Sequence, residues 1–279
     1  MKRSLLDSLL YVVTFLLIQL FTGLVMSRFF GDLQTNATAM IITSAVASVL
    51  TIVLFAVLRW SPFSRSYLQS RPWDVLAWVA VLTLGTLIPS VWLTELLGID
   101  LDEAQKQMLS RMLRTPWGYL VVGLAVPLAE EMVFRGALLR TLLKAFHGKA
   151  IVPIVLSALV FAAVHGNLAQ GLHAFLMGLL LGWLYWRSGS IVPGLVFHWV
   201  NNTMAYVLER LYPGIDDVRL VDLCGSELRV WLYVGYSLLV FLPALYQIHL
   251  RIKKETHPDP PCLGRGEDSP RPSLHREGD

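Results

Sequence analysis

Two adjacent carboxylates, Glu130 and Glu131, lie in the middle of a long apolar stretch, and Arg135 follows shortly after them. An ionisable side chain inside a membrane helix costs about 2–3 kcal/mol on insertion scales, so such residues are the first candidates for function. Glu131 and Arg135 are four residues apart, so they share one face of a helix and can form an ion pair. Glu130 is rotated from Glu131 by about 100° and remains free as a base or an acid. A purely structural ion pair is the alternative, but it needs one glutamate rather than two.

Two histidines and an asparagine occur on later apolar segments. One segment ends in Phe161-x-x-x-His165, and another contains His198-x-x-x-Asn202. A single histidine in an apolar segment is more often a core residue than a catalyst, but two of them together with an asparagine and a glutamate pair favour a site. The set offers a base, an arginine clamp, and neutral donors that can position water and stabilise an oxyanion.

Other polar or small residues near these motifs are interpreted as less important. His173 begins the sixth apolar segment and is read as an interface residue rather than a site residue. Asn201 competes with its neighbour Asn202 for the same helical face. Gly178 and Gly182 form a small-xxx-small pair, which is typical of a helix-packing surface.

The composition indicates that lipid is the solvent of most of the chain. Of its 279 residues, 55% are hydrophobic and 15% are charged, and the mean hydropathy is +0.57. A soluble domain usually carries about 25% charged residues. The net charge of +3 is small and gives no reason to expect a nucleic-acid partner. We therefore expect an integral, multi-pass membrane protein whose surroundings are the lipid bilayer.

The distribution of apolar stretches predicts the fold. A spanning helix needs about 20 mostly apolar residues, and eight stretches come close to this length. They cover residues 8–26, 37–58, 73–97, 118–143, 150–166, 168–187, 190–209 and 229–250. Because backbone groups cannot stay unpaired in lipid, all eight are predicted to be helical. The predicted fold is all-α, a polytopic transmembrane bundle of about eight helices, with very short turns joining the fourth to the seventh.

Basic residues are concentrated on one side of the predicted helices, which indicates the cytoplasmic side by the positive-inside rule. They lie before the first helix, between the second and third, and after the fourth, sixth and eighth, at Lys2, Arg3, Arg59, Arg65, Arg71, Arg140, Lys144, Lys149, Arg187, Arg251, Lys253 and Lys254. The loops on the other side are more acidic. Both termini are therefore predicted to be cytoplasmic, in a protein of the cell membrane.

The parts of the chain outside the central motifs also have distinct compositions. Segment 99–117 mixes charged and apolar residues, which fits either an amphipathic helix in the membrane interface or a polar extension of the fourth helix.

We expect four regions: helices one and two with an inner loop (1–72), the catalytic helix bundle (73–210), an outer loop with the last helix (211–252), and a disordered cytoplasmic tail (253–279).

Three motifs together resemble a known family. Glu130-Glu131-x-x-x-Arg135, Phe161-x-x-x-His165 and His198-x-x-x-Asn202 follow one another on successive membrane helices. In this order and spacing they resemble the motifs of the CAAX-protease and bacteriocin-processing family, also called the Abi or type II CAAX prenyl endopeptidase group. The similarity covers about residues 75–210. Each motif alone is common, whereas the set of three is specific, and it implies an intramembrane endopeptidase.

The resemblance also implies roles for the site residues. Glu130 is expected to be the general base that activates the attacking water. His165, His198 and Asn202 are expected to hold that water or the oxyanion, and the predicted ion pair to orient the site. The predicted spans put His165 near the outer end of its helix and His198 nearer the inner end of its own. The two rings can therefore meet only if the helices tilt or end elsewhere.

The expected cofactor is none, and zinc is the alternative. Two histidines and a glutamate, His165, His198 and Glu130, can ligate zinc, but no H-E-x-x-H arrangement occurs in the sequence. We therefore favour catalysis by water activated without a metal ion.

The predicted function is hydrolysis of a peptide bond in a membrane-associated peptide or protein, near the cytoplasmic face or within the bilayer, with water activated by Glu130. The alternative is a non-catalytic membrane protein, for binding, immunity or transport, that uses the same polar cluster. An internal repeat with matching polar positions, which would favour a transporter, is not evident. The sequence does not indicate whether the substrate is prenylated.

Overall fold

The computed structural model describes residues 2–33, 35–62, 65–99, 102–147 and 149–252. All regular structure in these ranges is helical, which confirms the predicted all-α fold. The α-helices are α1 (Lys2–Phe30), α2 (Ala37–Val57), α3 (Arg65–Gln69), α4 (Trp73–Leu96), α5 (Glu103–Arg114), α6 (Val126–Glu131), α7 (Arg140–Ala145), α8 (Ile151–Ala163), α9 (Leu168–Ser188), α10 (Val192–Leu211), α11 (Leu220–Cys224) and α12 (Glu227–Arg251). The predicted tail 253–279 lies outside the described residues.

The fourth predicted span is a composite helix, Tyr119–Ala145, which we call the site helix. Two π-helical stretches, Tyr119–Ala125 and Met132–Leu139, flank α6, and the second leads into α7. π-Helical turns are rare and occur frequently at functional sites. The two candidate carboxylates are the last two residues of α6, so they lie between the irregular stretches.

Each predicted span coincides with a helix or with the site helix, but the count of eight spans is not confirmed. Within the described ranges, five helices are long and apolar enough to cross a membrane alone: α1, α2, α4, α9 and α12. The bent pair of α5 and the site helix raises the number to six if it counts as one span. Of the other two predicted spans, α8 has only 13 residues, and α10 carries the polar side chains of the candidate site, which lower its hydropathy.

α5 decides between the two interpretations of segment 99–117. It is bent by 101° from the site helix and is therefore a separate helix rather than a polar extension. Asp102 caps its N-terminus. At its other end, Ser110 Oγ and Arg114 Nε donate to Glu209 Oε1 of α10 at 2.6 and 2.8 Å. α5 is thus anchored at one end of the bundle, as expected for an amphipathic helix in the membrane interface.

Small residues allow α8 and α9 to pack closely. A Cβ atom added at Gly178 would lie 2.9 Å from the Cβ of Ala158, and one added at Gly182 would lie 2.9 Å from Cγ2 of Ile154. Both distances are shorter than ordinary van der Waals contacts. The prediction that these two glycines form a packing surface is confirmed.

The core surrounds the second half of the site helix. All eight residues of the stretch Met132–Leu139 are buried, whereas only Val121 and Gly123 are buried in the first π-helical stretch. The ring of Phe134 packs against those of Phe15 and Phe161, with centroids 5.5 and 5.0 Å apart. The site helix is therefore enclosed on the side of α7 and more accessible on the side of α5.

Replacing Gly178 with alanine is predicted to lower the Tm of the detergent-solubilised protein. The added methyl group would press against the backbone of Ala158, and overpacking of this kind costs about 1–3 kcal/mol. Gly235→Ala is the matched control, because a Cβ atom at Gly235 meets no atom within 4 Å. It should keep or raise the Tm, since alanine favours a helix over glycine by about 1 kcal/mol. Equal Tm values for the two variants would contradict close packing of α8 and α9.

Candidate active site

The predicted ion pair forms deep in the bundle. Arg135 Nη1 donates to Glu131 Oε1 at 2.8 Å. The two side chains are 1% and 0% exposed, so the pair is shielded from the surroundings. Two buried charges are tolerable only when each has a close partner. The spacing of four residues therefore brings the two groups together as expected, although Arg135 lies in a π-helical stretch.

Three neighbouring helices close on this ion pair. A Cβ atom at Gly194 would lie 2.6 Å from Glu131 Oε2, so α10 can approach the carboxylate only because residue 194 has no side chain. Gly178 of α9 leaves space beside Arg135 Nη2. From α8, the ring of Phe161 lies against the guanidinium, with 4.3 Å between Cζ and the ring centroid. This geometry is that of a cation–π contact.

His198 lies between the two carboxylates. Its Nδ1 is 3.4 Å from Glu131 Oε1, and its Nε2 is 3.7 Å from Glu130 Oε2. The Glu130 side chain is 15% exposed, whereas that of Glu131 is fully buried. The two carboxylates therefore differ in environment. Glu131 is held by a cation, and Glu130 faces an imidazole ring at the accessible edge of the site.

His165 reaches towards the same region from the end of α8. Its Nδ1 donates to the carbonyl of Phe161 at 2.7 Å, since a carbonyl can only accept. The side chain therefore folds back along its own helix, in the direction in which Cβ bonds tilt. The Phe161 ring lies 5.0 Å from the His165 ring and 6.1 Å from the His198 ring, measured between centroids. Both histidine rings thus lie close to the ring of Phe161, although the predicted spans suggested a difference in depth.

Asn202 contacts the backbone of the site helix. Its Nδ2 donates to the carbonyl of Val122 at 2.9 Å. In this π-helical stretch the N–H of Val126 bonds to the carbonyl of Val121, five residues earlier. With the same spacing, the carbonyl of Val122 would accept from the N–H of residue 127. Pro127 has no N–H. Asn202 therefore satisfies a carbonyl that proline leaves free, a role that the motif alone does not indicate.

Two polar residues that were interpreted as less important lie next to the site. Asn201 is buried, and its Nδ2 donates to Asn202 Oδ1 at 3.2 Å. His173 of α9 interacts electrostatically with the Asn201 side chain and with His198 and His165. The polar cluster is therefore larger than the three motifs.

The side chains considered as zinc ligands do not form a ligand set. Among the described residues, no three or more His, Cys, Asp or Glu side chains are arranged to hold a metal ion. His165 directs Nδ1 to a backbone carbonyl, while Glu130 and His198 face each other.

Ionisable side chains enclosed by a membrane helix bundle mark a candidate functional site. Residues 112–204 match the family model of type II CAAX prenyl endopeptidase Rce1-like proteins. This segment is about a third of the 279-residue chain and contains all six predicted site residues. The match confirms the resemblance to the CAAX-protease family and supports a membrane protease. The chain has no significant match among curated proteins or among solved structures.

Replacing Arg135 with methionine is predicted to destabilise the protein strongly, because the Glu131 charge would stay buried without its partner. Such a loss typically costs about 3–5 kcal/mol, measurable as a change in the free energy of unfolding in detergent. Adding Glu131→Gln to this variant should recover part of the loss. Arg210→Met, at an exposed position of α10, is the control and should change the stability by less than about 0.5 kcal/mol. A loss no larger than that of the control would show that the ion pair is dispensable.

Proposed function

We propose that the protein is an intramembrane endopeptidase in which Glu130 activates the attacking water. The observation that supports this is the difference between the two carboxylates. Glu131 is fully buried and bonded to Arg135 at 2.8 Å, whereas Glu130 is partly accessible and faces His198. A general base must be within reach of both water and the scissile bond. The partial exposure of Glu130 supports this role for it, whereas Glu131 is fully buried.

In the proposed reaction, the water oxygen attacks the carbonyl carbon of the scissile peptide bond while Glu130 takes one of its protons. The carbonyl oxygen becomes an oxyanion, to which the second Nδ2 hydrogen of Asn202 can donate. His165 and His198, with the hydrogen on Nδ1, are proposed to hold the attacking water through Nε2. The proton on Glu130 then passes to the leaving nitrogen as the C–N bond breaks. The products are one chain with a new carboxyl group and one with a new amino group.

The ion pair has a positioning role in this scheme. Glu131 Oε1 lies 3.4 Å from His198 Nδ1, so an anionic acceptor holds the ring from behind. The opposite nitrogen, Nε2, then faces Glu130. Arg135 neutralises Glu131 and so keeps that acceptor in place. The pair acts through His198 rather than on the substrate.

Three further features complete the proposal. The reaction needs no metal ion, which is supported by the hydrogen bond from His165 Nδ1 to a backbone carbonyl, since that nitrogen is not free to bind a metal ion. Both termini are cytoplasmic, which is supported by the basic residues that follow the site helix and α9. The substrate is a peptide or a membrane protein that reaches the site within the bilayer, because the site lies inside a helix bundle whose outer surface is apolar.

Glu130→Gln is predicted to abolish cleavage while the protein still folds. Glutamine keeps the shape of the side chain but cannot take a proton from water, and loss of a general base lowers the rate by about 10²- to 10⁴-fold. The measurement compares new protein N-termini in membranes of cells that express the native protein or the variant. Glu103→Gln, at an exposed position of α5, is the control and should cleave normally.

Retained cleavage by Glu130→Gln, with an unchanged Tm, would exclude Glu130 as the base. The non-catalytic alternative predicts a different outcome for Glu130→Gln. If cells keep the phenotype that the native protein confers, and no N-terminus depends on Glu130, then binding, immunity or transport explains the polar cluster better than hydrolysis.

Cleavage by the purified protein is predicted to persist after treatment with a strong chelator such as 1,10-phenanthroline, because the base is a carboxylate rather than a metal-bound hydroxide. The measurement is the cleavage rate of a substrate identified by N-terminal profiling, together with the metal content of the protein. Loss of activity that zinc restores would overturn the metal-free mechanism and assign Glu130, His165 and His198 as ligands.

A further inference from the structure

Polar side chains form a continuous row from one end of the bundle to the candidate base. We call this set the polar row. From the surface inwards it consists of Asn167, Gln170, His173, Asn201, His198 and Glu130. Polar and ionisable side chains within a membrane protein almost always face the protein interior or a water-filled cavity. The proposed role of Glu130 as a base does not by itself explain why the other five polar residues lie in this row.

Direct contacts link the two end pairs of the row, and His198 Nε2 lies 3.7 Å from Glu130 Oε2 at the inner end. Asn167 Nδ2 donates to Gln170 Oε1 at 2.7 Å. Gln170 and His173 are three residues apart on α9 and so share a face. His173 interacts electrostatically with the Asn201 side chain and with His198. The row thus extends from the turn between α8 and α9 to the ring that faces the base.

Burial along the site differs between its two sides. Towards α5, the polar residues Gln170, His173 and Glu130 are only partly buried. Towards α7, the site is sealed, because Glu131 and every residue of Met132–Leu139 are buried. Glu130 is therefore more accessible from the α5 side, whereas packed side chains close the other direction.

The row opens at the end of the bundle where α5 lies. Glu209 near the end of α10 binds α5 directly. α8, α9 and α10 are joined by short turns and run in alternating directions, so the end of α8 and the start of α9 lie on the α5 side as well. The basic residues Arg140, Lys144 and Arg187 lie near the opposite ends of their helices.

We propose that the polar row is a water-filled access route, and that the bond to be cleaved approaches Glu130 from the α5 side. The substrate is then a membrane-associated polypeptide whose scissile bond lies in the α5-side half of the bilayer or at its surface. This differs from the sequence-based expectation of cleavage near the cytoplasmic face, since the α5 side is opposite the basic loops. The substrate assignment rests on the proposed peptidase function, but the access route itself does not.

Cysteine labelling with a membrane-impermeant cationic methanethiosulfonate tests the route. The reagent reacts with thiolates, which form only where water reaches the residue. Gln170→Cys and His173→Cys are introduced separately into a protein that carries Cys224→Ser and Cys262→Ser. Labelling is measured by mass shift in right-side-out and inverted membrane vesicles. Gln107→Cys on α5 and Lys149→Cys before α8, both exposed positions at opposite ends of the bundle, identify the two sides.

Gln107→Cys and Lys149→Cys should react in opposite vesicle orientations. Both test cysteines should react in the orientation in which Gln107→Cys reacts, and should not react in the other. Leu172→Cys is the matched control, because it neighbours His173 but points from another face of α9. The test positions should react at least about tenfold faster than this control. Reaction at the control rate, or from the Lys149 side, would overturn the proposal.

The same labelling in a Glu130→Gln background separates the two proposals. The access route predicts an unchanged labelling pattern, because it depends on water and not on catalysis. If labelling follows the prediction while Glu130→Gln retains cleavage, the peptidase mechanism fails and the route stands. If labelling fails while Glu130→Gln loses cleavage, the route fails and the mechanism stands.

Discussion

The buried ion pair between Glu131 and Arg135 is the interaction to which the rest of the site is adapted. A paired charge in the interior is tolerated only while both partners are present and close. The bundle meets this condition with residues from three other helices. Gly194 and Gly178 remove side chains where α10 and α9 approach the pair, and Phe161 of α8 covers the guanidinium. Because the pair buries Glu131 completely, the adjacent Glu130 is left as the carboxylate with a partly exposed side chain.

The irregular backbone of the site helix is connected to the same neighbours. In lipid, a backbone carbonyl without a donor is costly, so each departure from regular hydrogen bonding needs a side chain to compensate for it. Asn202 of α10 donates to Val122 in the first π-helical stretch, and Ser157 of α8 donates to Phe134 in the second, at 3.0 Å. The segment with the two carboxylates is therefore fixed on both sides, which gives a general base a rigid position.

The helix positions and the ion pair were predictable from the sequence, because apolar length and a spacing of four residues determine them almost independently of tertiary packing. The count of spans was not, since α8 is short and α10 is polar. The backbone partner of Asn202 depends on a π-helical register that no simple periodicity reveals. His173 was misjudged, although a signal was present. It precedes Met177 and Leu181, both buried, by four and eight residues, which places it on the inward face of α9.

The short length of α8 has a consequence for the lipids around the protein. Its 13 residues span about 20 Å, whereas the hydrocarbon core of a bilayer is about 30 Å thick. Its outward side chains are apolar, at Ile151, Val152, Leu156 and Leu159. Lipids beside α8 must therefore compress, because hydrophobic mismatch is relieved by local thinning. A helical polypeptide that diffuses into this annulus loses part of its apolar cover, which lowers the cost of unwinding it. Bilayer thickness therefore sets the extent of this deformation, with thick, sterol-rich membranes opposing it and thin ones favouring it.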